Sequence, residues 1–408
     1  MSDAVNRKLP LWALAGLGAT QVIGYGTLYY CFSILVPAVA RDFATSEQWV
    51  FGAFSLALLI GAFAAPTAGR LADRWGAGRL MAFGSIGSAL GLFLLASAPE
   101  RISFAVILAA VEIVSTGVLY STAFTAIVQA GEPTARTSIV HLTLIAGFAS
   151  SLFWPLTSWL HGMMSWREIL FAYGALHVIV CLPVHLALSR LTTGAVIADR
   201  QAPPVESDTA TSHGGSLLFT LMLLGFAIEG YALSAILVHM VPLTQALGLG
   251  AAGLVVASLF GPAQVASRFV NLIFGKGLSQ AWLAVIASIL MPLGLVILLS
   301  TTPWFAGAVL FAICMGLGSG LNSIVAGTLP LELFGRKGYG SRLGWSTAAK
   351  QVMSAVAPLG MSISMAGLGV EHSLWVVVAT GLAGAMAFVG ILIVTQRRRL
   401  RMAVDALG

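Results

Sequence analysis

Two basic and two acidic residues stand where an ionised side chain costs most. Arg268, Lys350, Glu112 and Glu229 each lie inside a long apolar run. A cation at bilayer depth costs at least about 2.5 kcal/mol on insertion scales, so such residues normally face a cavity and mark the path of a substrate or ion. Gln264, Arg268 and Asn271 fall at i, i+4 and i+7, and Ser346, Lys350 and Ser354 at steps of four, so each cation belongs to a polar stripe on one helix face. A carboxyl group in such surroundings either pairs with a cation or carries a proton. Glu112 and Glu229 are therefore proton-coupling candidates and, alternatively, structural ion-pair partners, Glu229 for Arg268 and Glu112 for Lys350. His177 and His239 are of a type that titrates near neutrality, but a lone histidine among apolar residues more often bonds a neighbouring helix. Gln21, Asn322 and Ser323 are polar at similar depth, with interhelical hydrogen bonding an equal reading.

The elements that must position these residues follow from composition. Of 408 residues, 58% are hydrophobic and 9% charged, against roughly a quarter charged in a soluble domain. The apolar residues gather in runs of about 20, the length a helix rising ~1.5 Å per residue needs to cross a ~30 Å hydrocarbon core. In the first half the runs lie near Leu11 to Val39, Trp49 to Thr67, Leu80 to Ser97, Ile102 to Val128, Ser138 to Leu160 and Ile169 to Leu188. In the second half they lie near Leu217 to Leu243, Ala251 to Phe274, Ala281 to Ser300, Trp304 to Pro330, Leu343 to Met365 and Leu374 to Val394. The expected fold class is an all-α integral membrane protein of twelve transmembrane helices. The first run lacks a small-residue cleavage site and is too long for a signal peptide, so it is expected to remain. Cys31, Cys181 and Cys314 sit inside apolar runs without CxxC spacing, which suggests neither a disulfide framework nor a metal site.

With the N-terminus placed in the cytoplasm, the inside segments hold sixteen of the 21 Lys and Arg, among them Arg7, Lys8, Arg70, Arg74, Arg79, Arg136, Arg336 and Arg397, while outside loops hold Arg41, Arg101 and Arg167. That bias supports the span count and cytoplasmic termini in an inner (plasma) membrane. The two cations left over are Arg268 and Lys350. The net charge of +6 is thus a topology signal, dispersed over short loops and giving no nucleic-acid-binding face. Thr192 to Ser216, with Pro203-Pro204 and Gly214-Gly215, is the one polar stretch of any length. It divides the chain into residues 1–190, a linker at 191–216, and residues 217–408 with a basic tail. Two six-span halves are what parallel repeats about a midplane site require, although the halves share little sequence.

After the second run comes Gly69-Arg70-Leu71-Ala72-Asp73-Arg74-Trp75-Gly76-Ala77-Gly78-Arg79. It resembles the loop signature of the major facilitator superfamily, in which glycines permit a tight turn and the aspartate accepts charge-assisted hydrogen bonds from arginines or a helix N-terminus to latch one gate conformation. Gly69, Asp73, Arg74, Gly76 and Arg79 are the gate residues on this reading. Trp166-Arg167 and Glu332-Leu333-Phe334-Gly335-Arg336 look like further loop pieces of the same superfamily. Gly24-Tyr25-Gly26 through Val36-Pro37, with Arg41-Asp42-Phe43 and the buried polar residues, look most like the monocarboxylate transporters and oxalate:formate antiporters. In those antiporters an arginine in span eight and a lysine in span eleven receive a dicarboxylate. The resemblance implies that Arg268 clamps a carboxylate bidentately, with Gln264 beside it, and that Lys350 is a second, movable charge. It also implies an aromatic wall from Tyr25 or Tyr29 and Tyr120, with Trp345 a weaker match because five residues from Lys350 put it on another helix face.

The implied function is secondary active transport of a small organic anion, a mono- or dicarboxylate, by alternating access, as proton symport or anion exchange. The alternative is proton-driven efflux of drugs or toxic compounds, with Glu112 or Glu229 as coupling acid. Against it, Gly147 to Trp154-Pro155 lacks the Gly-Pro motif of drug exporters. Gly248 to Gly253 spells GxGxxG but joins two apolar runs rather than a strand to a helix, and reads as a turn. Gly87/Gly91 and Gly316/Gly320 read as helix-packing pairs. An enzyme is not expected, since no HExxH, GxxxxGK[ST] or Cys/His cluster occurs and the linker is too short to fold alone. No cofactor or metal is implied; the expected partners are a small-molecule substrate, a proton and the lipid bilayer.

Overall fold

The structure, a computed structural model, describes residues 9–131, 134–201, 212–250 and 252–405. Arg7, Lys8 and Pro203-Pro204 of the expected linker lie outside them. Among the described residues there is no strand. Twelve helices follow one another: α1 (Leu11–Asp42), α2 (Glu47–Trp75), α3 (Ala77–Ala96), α4 (Arg101–Ala130), α5 (Ala135–His161), α6 (Trp166–Thr193), α7 (Gly215–Met240), α8 (Ala252–Phe274), α9 (Gln280–Thr301), α10 (Phe305–Phe334), α11 (Tyr339–Leu368) and α12 (Val370–Arg398). Among the described residues, α1–α7 and α9–α12 are long and apolar enough to cross a membrane. The expected linker is largely helical at both ends, because the helix containing α6 runs on to Gln201 and that containing α7 starts at Ser212.

The helices form two compact units, Met1–Val205 with Arg336–Ala348, and Glu206–Gly335 with Ala349–Gly408. The first has a core built on Phe32, Leu35, Phe104, Trp166 and Tyr173. The second has a core built on Ile236, Met291, Phe311, Met361 and Leu374. Small residues set the helix spacing in both. A Cβ on Gly87 or Gly91 would come within 2.8 Å of Val114 or 2.6 Å of Val111, so α3 lies against α4. A Cβ on Gly316 would come within 2.5 Å of the Phe260 carbonyl, and one on Gly320 within 2.3 Å of the Gln264 carbonyl, so α10 lies against α8.

Each unit repeats one device. In the first, the Gln129 side chain in the last turn of α4 accepts from the Ala77 N–H that opens α3 (2.8 Å) and donates to the Ala72 carbonyl of α2 (3.0 Å). In the second, Glu332 in the last turn of α10 accepts from the Gln280 N–H that opens α9 (2.7 Å). Both satisfy one of the donors a helix start leaves free. The correspondence of α3 and α4 with α9 and α10 is structural evidence of an internal repeat that the sequence barely carries.

Two residues in the first turn of α6 staple the first unit. Arg167 forms a salt bridge with Asp42 (2.9 Å) and donates to the carbonyls of Ala96 (2.7 Å) and Ala98 (2.8 Å), while its guanidinium lies 4.3 Å from the Trp166 ring centroid. The Trp166 indole N–H also donates to Asp42. Three helix connections, after α1, α3 and α5, are thus joined by one side chain. Deeper in, α1 and α6 each contain a π turn, Gly26–Tyr30 and His177–Cys181, and Thr27 Oγ1 meets His177 Nε2 between them at 2.8 Å.

Candidate functional site

In the second unit, both polar stripes are directed at neighbouring helices. Gln264 Nε2 donates to Ser319 Oγ (2.9 Å) and Arg268 Nη2 to Ser323 Oγ (3.1 Å), so the α8 stripe runs along α10, where Gly316 and Gly320 allow the close approach. Arg268 is 3% exposed, and Asn322 beside Ser323 is buried as well. Asn271, two turns along the stripe from Gln264, has a buried amide oxygen without a hydrogen-bond partner among the described residues. On α11, Ser354 Oγ donates to the Gly230 carbonyl (3.0 Å) and the Ser354 carbonyl accepts from Ser234 Oγ (2.8 Å), which zips α11 to α7. Gly230 lies so close that a Cβ there would come within 2.6 Å of the Lys350 carbonyl and 2.8 Å of its Cγ.

That packing puts Glu229 beside Lys350. The Glu229 side chain is buried, and among the described residues neither of its carboxyl oxygens accepts a hydrogen bond. Among the described residues no ion pair joins Glu229 to Arg268 or Glu112 to Lys350, the two pairings considered from sequence. Glu112, in the first unit, accepts a hydrogen bond from Ser115 Oγ (3.2 Å) one turn on in its own helix. It is buried, and Tyr29 and Cys31 of α1 lie in its field.

The first unit also gathers aromatic rings. Tyr25 and Tyr120 stand 4.7 Å apart between centroids, Tyr120 continues to Phe124 at 5.1 Å, and Tyr29 lies 5.2 Å from Tyr30 and 5.7 Å from Phe54. Tyr30 reaches Trp154 edge-on at 5.6 Å. The π turn carries Tyr29 and Tyr30 in this cluster, with Tyr29 and Trp154 exposed. Trp345 is exposed and has no ring contact among the described residues.

The Gly69–Arg79 segment is not the loop that its sequence predicts. Gly69, Asp73 and Arg74 lie in the last turns of α2, Gly76 alone makes the turn with φ 92°, and Arg79 falls in the first turn of α3. Arg74 and Arg79 are exposed. Gly69 serves close approach rather than turning, since a Cβ would come within 2.1 Å of the Gly340 carbonyl. That contact brings Asp73 to the start of α11, where its two carboxylate oxygens accept from the N–H groups of Gly340 (2.9 Å) and Ser341 (2.7 Å). A carboxylate there meets both free donors and the positive end of the helix dipole.

Of the other polar residues, Gln21 donates to the Val118 carbonyl (2.7 Å) and His177 bonds Thr27, both between helices, whereas His239 bonds the Ala235 carbonyl of its own helix. Ser319, Ser234, Gly230, Thr27 and Gln129 were not singled out by sequence. The available signal was small residues at steps of four, Ser319/Ser323 and Gly230/Ser234.

A family model described as Major Facilitator Superfamily matches residues 19–358. The chain is a member of the Major Facilitator Superfamily. Solved structures of this superfamily agree in fold. The proton:xylose symporter XylE matches with a TM-score of 0.69 at 12% identity over 91% of this chain and 94% of that one. The human organic anion transporter MFSD10 matches with 0.71 at 12% over 93% and 100%, and the transporter FucP, in its outward conformation, with 0.63 at 14% over 95% and 99%. No curated protein matches the sequence. As a major facilitator the chain is a multi-pass membrane protein and a secondary transporter of small molecules rather than an enzyme.

Proposed function

We propose that this facilitator carries a small organic anion, a mono- or dicarboxylate, across a bacterial inner membrane by alternating access of two six-helix halves, as proton symport or anion exchange, with both termini cytoplasmic. The observation that carries this reading is the pair of cations inside the second unit, Arg268, buried on α8, and Lys350, half-buried on α11, each on a polar stripe with serine contacts. A planar guanidinium fixed by Ser323 suits bidentate recognition of a carboxylate, and the ammonium supplies a point charge. Gln264 adds an amide to the same stripe. Tyr29 and Tyr120 are the aromatic residues proposed to contact substrate, Glu112 is proposed as a coupling acid, and the resemblance to monocarboxylate transporters and oxalate:formate antiporters points the same way. The basic segments, Arg70, Arg74 and Arg79 among them, support the orientation.

Uptake of labelled small carboxylates into proteoliposomes, with and without a pH gradient, tests this. Saturable uptake by the wild type that falls at least tenfold in both Arg268→Ala and Lys350→Ala is the expected result, since each variant forfeits a charge-assisted contact of about 1.5–3 kcal/mol. Dependence on the gradient separates symport from exchange. Absence of carboxylate uptake together with lowered drug accumulation in expressing cells would transfer the assignment to efflux.

A further inference from the structure

Along α6, where it packs against α1 and α3 of the first unit, two buried histidines are held in the same way. His177 Nε2 meets Thr27 Oγ1 of α1 at 2.8 Å, and His185 Nδ1 meets Ser85 Oγ of α3 at 2.7 Å. Each hydroxyl has one proton and gives it to a carbonyl of its own helix, Thr27 to Ile23 (2.8 Å) and Ser85 to Met81 (3.0 Å). Each hydroxyl therefore accepts from its histidine, which fixes the tautomers: His177 bears its proton on Nε2 and His185 on Nδ1. The nitrogens left over, His177 Nδ1 and His185 Nε2, are proton acceptors, and among the described residues neither has a hydrogen-bond partner. The same holds for Ser88 Oγ on α3. None of the three side chains is more than 1% exposed.

Helix geometry lines the three up. Eight residues overshoot two ordinary helical turns by about 80°. The extra residue inserted by the π turn His177–Cys181 takes up most of that overshoot, so His177 and His185 share a face of α6. α3 runs antiparallel to α6: a Cβ on Gly78 would meet Ser189, Ser85 bonds His185, and a Cβ on Gly174 would meet Phe93. Ser88, one turn on from Ser85, thus falls between the levels of the two histidines. Two acceptors with a hydroxyl between them suit internal water, which bonds to buried polar groups that lack other partners. We propose that this seam is a proton site of the first unit, apart from Glu112, in which one proton passes between His177 and His185 through Ser88 and internal water. The proton comes from bulk water, adds to the lone pair of His177 Nδ1, is handed on to the lone pair of His185 Nε2, and returns to bulk water. Each ring keeps the N–H that it gives to Thr27 or Ser85, and no other bond changes. The site does not depend on what the transporter carries. Between the end turns of the surrounding helices the other titratable groups are Tyr25, Tyr29, Tyr30 and Cys31 on α1, Arg70 on α2, Glu112 and Tyr120 on α4, His141 on α5, and Tyr173 and Cys181 on α6, while α3 brings none.

The test needs no substrate. Full-length protein with nitrogen-15 in its histidines alone is placed in lipid bilayers, and solid-state NMR spectra are recorded as the pH is lowered from about 8 to 5, the range in which imidazoles change state. His177→Gln and His185→Gln assign the two rings among the seven histidines. His177 is expected to be protonated at Nε2 and His185 at Nδ1, with magnetisation passing from water to the bare nitrogen of each. A proton shared by both rings titrates them as a pair, so the two bare nitrogens should respond with one common midpoint. Ser88→Val, which replaces the hydroxyl by methyl groups, should cut the transfer from water about threefold or more and separate the midpoints, whereas Ser88→Thr should keep the wild-type pattern. Bare nitrogens that receive nothing from water, or rings that titrate at unrelated midpoints or not at all, overturn the inference. The wild-type spectra decide this whether or not the valine protein folds, since two of the seven imidazoles either move together or do not.

Discussion

Arg167 concentrates in one side chain what usually takes several residues: a salt bridge, two carbonyl contacts and an aromatic face. With both partners of the salt bridge partly open to solvent, at 33% and 45% side-chain exposure, the ion pair alone is worth little. The carbonyl contacts carry the weight, because a guanidinium that satisfies two chain ends is not easily replaced by water. Arg167→Ala is therefore expected to cost about 1.5–3 kcal/mol, and Asp42→Asn distinctly less. Thermal unfolding in detergent, followed by loss of the monodisperse peak, checks this; equal losses in the two variants would assign the effect to the ion pair instead. The role of Asp42 was invisible in sequence because its partners lie in connections far apart along the chain. Arg268, Lys350, Glu112 and Glu229 were conspicuous for the opposite reason, since a charge in an apolar run needs no partner to be noticed. Serines are cheap in any helix, so Ser319 and Ser234 drew no attention until their contacts were seen.

At the scale of elements, glycines of the same helix type have unlike consequences. A Cβ on Gly320 would meet Ser267 Oγ at 2.0 Å and the Gln264 carbonyl at 2.3 Å, whereas one on Gly261 meets nothing within 4 Å. Gly320→Ala is expected to destabilise by about 1–3 kcal/mol through overpacking. It should also weaken transport, because α8 would be pushed off α10 and Arg268 moved from Ser323. Gly261→Ala should be neutral or slightly stabilising, as alanine is the better helix former by about 0.5–1 kcal/mol. Yield and melting temperature measured side by side distinguish them, and a Gly320→Ala protein as stable as the wild type would show that the α8–α10 contact yields freely. The positions of the helices were legible from hydropathy, each overlapping its expected run. Their ends were less so, because polar residues such as Asp73 and Arg74 extend α2 past the apolar run. The glycine-rich segment after that run looked like a loop for a related reason: three glycines announce a turn without saying that one of them suffices.

For the molecule as a whole, Asp73 is the residue whose loss should alter behaviour without unfolding the chain. Its carboxylate holds two N–H groups at the start of α11, and α11 is also the helix of Lys350. Asp73→Asn keeps the size and removes the charge. A loss of about 1–2 kcal/mol at the helix start changes a two-state equilibrium by a factor of about 5–30, so the expected outcome is normal folding with maximal uptake lowered by a factor in that range. An unaltered maximal rate at equal protein density would mean that the cap is structural alone. The repeat between halves was legible as a count of spans and little more. Its clearest mark is the pair of caps, Gln129 and Glu332, which differ in residue type and leave no similarity for the eye to follow.

Glu229, Arg268 and Lys350 all belong to the same compact unit, fastened by Gly230 to α11 and by Gly320 to α10. If that unit turns as one piece during transport, the distances among the three charges are the same whichever side of the membrane the anion arrives from. On the proposed anion reading, the part of the hold that these three charges supply is then equal at both faces. Within that unit nothing then favours import over export, and a preference of direction would have to come from the gradients or from the first unit.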